Sequence, residues 1–243
     1  MMHFDVFNGD ADGLCALTQL RNAEPRDAQL VTGVKRDINL LDRVEATAGS
    51  RVTVLDVSLD KNRAGLERAL AAGADVFYCD HHFAGDIPQH DQLQAVINTA
   101  PDVCTSILVN EHLKGAFREW AVVGAFGDNL QDSARRIARP LELDDSRLQL
   151  LENLGIYINY NGYGSKLEDL HFEPAELFRL ISAYASPFDF MDDGRAHFDK
   201  LEQGYKQDMA TAESLAPEYR DTSVAAFMMP DEAWARRVSG VYS

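Results

Sequence analysis

Short apolar runs alternate with stretches of helical periodicity through the first half of the chain. The apolar runs predict strands at residues 3–7, 29–34, 52–57, 76–79 and 95–97. Between the first two runs, Leu14, Leu17 and Leu20 recur at the spacing of one helix face. Strands that alternate with helices are typical of a parallel sheet covered by helices. We therefore predict an α/β fold with a parallel β-sheet flanked by helices.

The second half of the chain has a mainly helical pattern that changes towards the end. A polar stretch at residues 194–215 has few apolar positions, which is typical of a helix that connects two lobes. After it, residues 223–229 predict a strand, Pro230 begins a helix, and residues 237–242 predict a further strand. The pattern thus predicts a large first unit, a connecting helix and a short last segment.

Charge and cysteine content narrow the classes of protein that fit this pattern. Lys and Arg number 23 and Asp and Glu number 39, so the formal net charge is −16. Such a surface repels long duplex nucleic acid, which binds proteins through many Lys and Arg contacts. No apolar run approaches the roughly 18 residues of a membrane span, and the start lacks a signal-peptide pattern. We expect a cytoplasmic protein without a membrane partner, whose three scattered cysteines form no disulfide.

Four acidic motifs each follow an apolar run. They are Asn8-Gly9-Asp10-Ala11-Asp12-Gly13, Leu55-Asp56-Val57-Ser58, Cys79-Asp80-His81-His82 and Gly127-Asp128-Asn129. Taken singly, the first two also fit a turn or a helix N-cap. The third favours a functional interpretation, because three polar groups at a buried strand end are costly without a role. Asp128 would end a helix, where the helix dipole disfavours an acid and a positive group should compensate.

Taken together, these motifs predict a metal site. The carboxyl ends of parallel strands meet at one edge of a sheet, so the motifs would bring four carboxylates and an imidazole together there. The residues are Asp10, Asp12, Asp56, His81 and Asp128. Without cations these acids would repel one another and raise one another's pKa values. Oxygen ligands with one or two imidazoles suit Mn²⁺ or Mg²⁺ better than structural Zn²⁺, so we expect two divalent ions, Mn²⁺ or alternatively Mg²⁺.

The ordered set of motifs resembles motifs I to IV of the DHH/DHHA1 phosphoesterase superfamily, which includes RecJ-like exonucleases and nanoRNase-like phosphodiesterases. The resemblance implies a DHH catalytic domain at residues 1–190 and a linker helix at 191–221. Residues 222–243 would begin a second α/β lobe of the DHHA1 type. Family members carry a glycine-rich segment in that lobe, and none occurs before Ser243, so we expect the lobe to be truncated.

The resemblance also implies roles for individual residues. One metal would take Asp12, Asp56, His81 and Asp128, while the other would take Asp10, with Asp56 bridging the two. The catalytic residues would be His82, which would face the substrate phosphate, and Asp80, which would lie behind the ligands or contact a metal itself. The family usually has histidine where this chain has Asn8, so Asn8 would be a weak ligand and leaves the number of ions open.

The implied activity is that of a Mn²⁺-dependent phosphodiesterase, a hydrolase that cleaves short nucleotide substrates such as di- or oligoribonucleotides to mononucleotides. A chain with net charge −16 suits a substrate of a few nucleotides better than long single strands, which need a basic channel. Lys35 and Arg36 follow the second predicted strand and could bind a substrate phosphate, although a solvated charge pair fits equally well.

Three alternatives remain open at this stage. The first two are hydrolysis of a cyclic dinucleotide and hydrolysis of a nucleotide bisphosphate, which would use the same metal ligands. The third is a catalytically silent nucleotide-binding sensor, which Asn8 favours. The sequence does not fix the oligomeric state, and a homodimer is among the alternatives.

Overall fold

The computed structural model describes residues 2–241 and contains the predicted parallel sheet. The strands are β1 His3–Phe7, β2 Gln29–Val31, β3 Arg51–Leu55, β4 Asp75–Asp80 and β5 Leu93–Ile97. All neighbours in this sheet pair in parallel. The α/β prediction is therefore confirmed, although β2 ends at Val31 and the predicted strand continued to residue 34.

The order of the strands in the sheet is β2-β1-β3-β4-β5. The chain moves from β1 to β2 on one side and then to β3 on the other side of β1, so the direction of winding reverses between β1 and β3. In open parallel sheets such a reversal leaves a crevice at the carboxyl ends of the two strands, and ligands bind there. Two of the acidic motifs leave their strands at this crevice.

Alternate residues of the strands supply two separate cores, one on each face of the sheet. Phe7, Leu55 and Cys79 lie in the larger core. Val6 and Val54 lie in the smaller one on the opposite face. This distribution follows from the period of two along a strand, which sends successive side chains to opposite faces.

Helices cover both faces of the sheet and form most of the second half of the chain. The helices are α1 Ala11–Ala23, α2 Leu59–Ala71, α3 Thr105–His112, α4 Arg118–Gly127, α5 Gln131–Ala138, α6 Asp145–Asn161, α7 Pro174–Ile181, α8 Pro187–Asp192, α9 Arg195–Glu213 and α10 Ala233–Val238. Short 3₁₀ turns lie at Leu40–Arg43, Arg139–Leu141 and Leu167–Asp169. Among residues 2–241, no helix combines the length and apolarity that crossing a membrane requires.

The end of the described chain differs from the sequence prediction. The strand predicted at 223–229 is reduced to β7 Ala225–Ala226, which pairs with β6 Tyr219–Arg220 as a short antiparallel hairpin. The strand predicted at 237–242 is wrong for its first residues, because Arg237 lies in α10, and Tyr242 is outside the described residues. Arg237 is buried and bonded to Asp208 of α9 and to the carbonyl of Asp169, so tertiary contacts fix this segment as a helix. The division into domains stays a prediction.

Close packing of α4 against α6 depends on a glycine. A methyl group on Gly155 would overlap the carbonyl oxygen of Val123 and lie 2.9 Å from the amide nitrogen of Gly127. Both atoms belong to the backbone of α4 and cannot rotate away. Since Gly127 immediately precedes Asp128, this contact also sets the position of a predicted ligand.

We expect Gly155→Ala to destabilise the protein. Alanine gains about 1 kcal/mol in helix propensity. Forcing a methyl group against backbone outweighs this gain, so the net loss should be about 1–2 kcal/mol. Urea denaturation followed by circular dichroism measures the change, with Gln149→Ala on the exposed face of α6 as the control. A Gly155→Ala protein as stable as the wild type would contradict the packing argument.

Candidate metal centre

The first motif follows β1 and forms the start of α1. Asp10 is the N-cap of this helix, and its Oδ1 accepts hydrogen bonds from the amides of Asp12 and Gly13 at 3.1 and 3.2 Å. Asp12 lies in the first turn and is buried. Its two carboxylate oxygens each accept a 2.7 Å hydrogen bond from a backbone amide, one of Thr105 and one of Ser106. Asp12 therefore joins α1 to the N-terminus of α3, where the helix dipole favours a negative charge.

The second motif places Asp56 directly after β3 in an uncommon backbone conformation. Its φ angle is +59°, in the left-handed region that costs a residue other than glycine about 1 kcal/mol or more. The strand ends at Leu55 for this reason, earlier than its apolar run predicts. Asp56 is fully buried, and its Oδ1 accepts a 3.2 Å hydrogen bond from the hydroxyl of Thr105. Strain of this kind is commonly retained where a side chain has to be aimed at a site.

The third motif supplies the end of β4 and the loop after it. Asp80 is fully buried, and its Oδ1 lies 2.8 Å from Nδ1 of His82. The rings of His81 and His82 lie side by side with their centroids 4.3 Å apart. His81 is mostly buried, whereas His82 is 45% exposed. His82 is thus fixed at one nitrogen, while its ring is partly accessible to solvent.

The fourth motif places Asp128 at the C-terminus of α4, as the sequence predicts. Its amide donates to the carbonyl of Gly124 at 2.9 Å, and the following residue, Asn129, turns the chain with a φ of +59°. The carboxylate is 22% exposed. It faces the end of the helix dipole that disfavours an acid, so it needs a cation nearby.

These four elements meet around His81. Its Nε2 lies 3.4 Å from an oxygen of Asp56, 3.8 Å from one of Asp12 and 3.9 Å from one of Asp128. Asp12, His81 and Asp128 each offer one ligand atom within 4.8 Å of the others, and Asp56, His81 and His82 do the same. The four residues predicted to hold one ion are therefore close together, although they are far apart in the sequence.

The raised pKa values of its acidic side chains indicate that this cluster lacks positive charge. Burial, together with the charges of Asp12 and Asp10, raises the pKa of Asp128 to about 8. The same causes raise the pKa of Asp56 well above its usual value. The hydrogen bond to Asp80 raises the pKa of His82, so its imidazolium form is favoured. A bound cation would remove the repulsion that raises the carboxylate pKa values.

The residues present fit a divalent ion. Together the two groups contain three carboxylates and two imidazoles, which Mn²⁺ and Mg²⁺ accept, and they lack the four closed nitrogen or sulfur ligands of a structural Zn²⁺ site. The buried Oδ2 of Asp80 has no hydrogen-bond partner within residues 2–241. Such an orphaned carboxylate oxygen is costly unless something positive faces it.

Asp10 and Asn8 make other contacts than the residues around His81. Oδ2 of Asp10 forms an ion pair with Nζ of Lys35 at 2.7 Å. Burial opposes the charge on Asp10, but Lys35 outweighs it and lowers the pKa of the carboxyl. Asn8 donates from Nδ2 to the carbonyl of Lys35 at 3.3 Å. Asp10 does not belong to the groups of acidic and histidine side chains around His81 in the described part of the chain.

The predicted phosphate-binding pair separates in the structure. Lys35 points to Asp10, and its Nζ also donates to Oδ1 of Asn159 at 2.9 Å. Arg36 is exposed. Sequence reasoning missed the roles of Asn159 as a partner of Lys35 and of Thr105 as a donor to Asp56. No local signal identifies either contact, because each joins residues distant in the chain.

Comparison with solved structures gives the fold a name. A manganese-bound RecJ exonuclease aligns with 88% of this chain at a TM-score of 0.56 and 17% sequence identity. RecJ from Thermus thermophilus, in complex with Mn²⁺, aligns with the same share at a TM-score of 0.50 and 18% identity. The chain has a RecJ-like fold. It spans 64% of the first RecJ chain and 37% of the second.

At such low identity the RecJ likeness describes the fold and does not transfer an activity. No protein-family model and no curated protein matches the sequence. The RecJ-like fold nevertheless accounts for the position of the four motifs. It brings the ends of β1, β3, β4 and α4 to one crevice, which is where the acids and His81 lie.

Proposed function

We propose that the protein is a metal-dependent phosphodiesterase that hydrolyses short nucleotide substrates, such as linear di- and oligoribonucleotides, to mononucleotides. The observation that carries the proposal is the position of His81, within 4 Å of carboxylates from three separate motifs. Asp12, Asp56, His81 and Asp128 would hold the ion. A bound Mn²⁺ or Mg²⁺ ion polarises a phosphate and lowers the pKa of a coordinated water.

His82 would act on the phosphate directly, and Asp80 would act through His82. Asp80 holds Nδ1 of His82 and favours its protonated form, which leaves Nε2 as a donor for a phosphoryl oxygen. The charge that develops on that oxygen during hydrolysis would be stabilised by this donor. Asp80 thus orients His82 and compensates its charge.

The surroundings of the centre support a short substrate. A cavity of about 370 Å³ beside Asp128 is lined by residues that include Gly127, Asn159, Tyr160, Tyr163 and Tyr205. Tyr160 is itself buried, so the rings that could stack on a nucleobase are those of Tyr163 and Tyr205. The net charge of −16 disfavours a long polyanion, which would need an extended basic channel.

The test is turnover of a panel of substrates with Mn²⁺. The panel contains a linear dinucleotide, a five-nucleotide RNA, a long single strand, a cyclic dinucleotide and a nucleotide bisphosphate. We expect mononucleotide release to be fastest from the two short linear substrates and to be lost in Asp56→Asn. Arg195→Ala, which breaks an exposed ion pair on α9, is the matched control and should keep full activity. Faster turnover of the cyclic or bisphosphate substrate, or of the long strand, would contradict the substrate assignment.

The ion pair between Lys35 and Asp10 supports a second candidate function. It occupies a predicted metal ligand, as expected in a nucleotide-binding sensor without catalysis. A sensor would bind a dinucleotide in calorimetry and release no mononucleotide from any member of the panel. That result would replace the phosphodiesterase proposal.

A further inference from the structure

Both carboxylate oxygens of Asp10 already have partners within the protein. Its Oδ1 caps α1 through the amides of Asp12 and Gly13, and its Oδ2 is paired with Lys35 at 2.7 Å. The carboxylate is 94% buried, so water screens this ion pair only weakly. A second divalent ion at Asp10 would have to displace the ammonium group or lie next to it.

Lys35 is held in place from several directions. Asn159 of α6 accepts a 2.9 Å hydrogen bond from its Nζ, and the ring of Tyr163 lies 5.4 Å from the same atom. The backbone amide of Lys35 donates to the carbonyl of Gly162 at 2.9 Å. These contacts orient a flexible side chain towards one carboxylate, so the ammonium group is a fixed charge of the site and not a mobile surface lysine.

Asn8 contributes to the same arrangement. Its amide nitrogen donates to the carbonyl of Lys35 and so secures the backbone that carries the lysine. Its buried Oδ1 has no hydrogen-bond partner within residues 2–241. A single neutral amide oxygen is a weak ligand for a divalent cation, and the ammonium group paired with Asp10 would repel such a cation.

We infer that the ammonium group of Lys35 takes the place of a second metal ion, so that the centre binds a single divalent ion through Asp12, Asp56, His81 and Asp128. The inference rests on the proposed function, in which a substrate phosphate binds beside the ion. Lys35 would then supply a permanent positive charge on the Asp10 side of that phosphate. This charge does not depend on the concentration of metal.

The experiment counts bound Mn²⁺ without using activity. Equilibrium dialysis with elemental analysis gives the number of ions per chain, and electron paramagnetic resonance distinguishes isolated from magnetically coupled ions. We expect one isolated ion per chain up to millimolar free Mn²⁺. Two coupled ions in the wild type would overturn the inference and leave the proposed function intact, whereas no bound ion would overturn both.

Variants test whether Lys35 is the cause. We expect the double variant Asn8→His/Lys35→Met to gain a second, coupled ion, because it frees Asp10 and adds an imidazole. Lys61→Met removes an exposed lysine from α2 and should still bind one ion. A folded double variant that binds only one ion would overturn the role of Lys35. If this variant does not fold, as circular dichroism would show, the wild-type count still decides the inference.

Discussion

Replacing His81 with alanine is expected to abolish Mn²⁺ binding and hydrolysis together. Nε2 of His81 is the atom that approaches Asp12, Asp56 and Asp128, so its removal leaves three carboxylates, two of them fully buried, without their shared imidazole. Loss of residues that only orient metal ligands typically costs 10- to 100-fold in affinity. We expect a direct ligand to cost more, so that Mn²⁺ affinity falls by at least about 100-fold.

His82→Ala is the matched comparison for His81→Ala, because it removes the same kind of side chain from the neighbouring position. His82 lies 3.8 Å from Asp56 but is bonded to Asp80 and is much more exposed. Its loss should leave Mn²⁺ binding nearly unchanged while turnover falls by about 10²- to 10³-fold, the usual effect of removing a donor to the reacting oxygen. Calorimetry with Mn²⁺ and a turnover assay with a dinucleotide separate the two effects. Equal loss of metal in both variants would mean that His82 is a ligand instead.

Part of the fold and of the candidate site follows from local patterns in the sequence. The metal site was predicted at Asp10, Asp12, Asp56 and His81 because each follows an apolar run, and a parallel sheet brings such positions to one edge. Asp128, which ends a helix, was added because its motif also follows an apolar run. The five strands were predicted for the same reason, since their apolar runs are short and bounded by polar residues.

Positions fixed by long-range contacts could not be predicted in this way. The pairing of Lys35 with Asp10 depends on Asn159, which lies 124 residues further along the chain. Arg237 was assigned to a strand from its neighbours in the sequence, but its ion pair with Asp208 places it in a helix. Both cases involve a charged side chain that is buried against a distant partner, and local periodicity contains no information about such partners.

A second large effect is expected from Arg21→Ala, which should destabilise the whole fold. Arg21 of α1 forms two hydrogen bonds to Asp5 of β1, at 2.8 and 2.6 Å, and a third to the hydroxyl of Thr53 in β3 at 3.0 Å. Both charged side chains are over 90% buried. Removal of the arginine leaves the carboxylate of Asp5 buried without a cation, which typically costs about 3–5 kcal/mol.

The same physics predicts that removing both charges costs less than removing one. Asp5→Leu/Arg21→Met replaces the ion pair with apolar side chains of similar size, so no uncompensated charge remains in the core. Urea denaturation should therefore rank Arg21→Ala as the least stable protein and the double variant as closer to the wild type. Arg195→Ala, which breaks an exposed pair on α9, should change the free energy of unfolding by less than about 0.5 kcal/mol. An Arg21→Ala protein within about 1 kcal/mol of the wild type, the limit for a solvent-exposed pair, would show that water reaches Asp5. In that case, contacts other than the Arg21–Asp5 ion pair would hold α1, which carries Asp10 and Asp12, against the sheet.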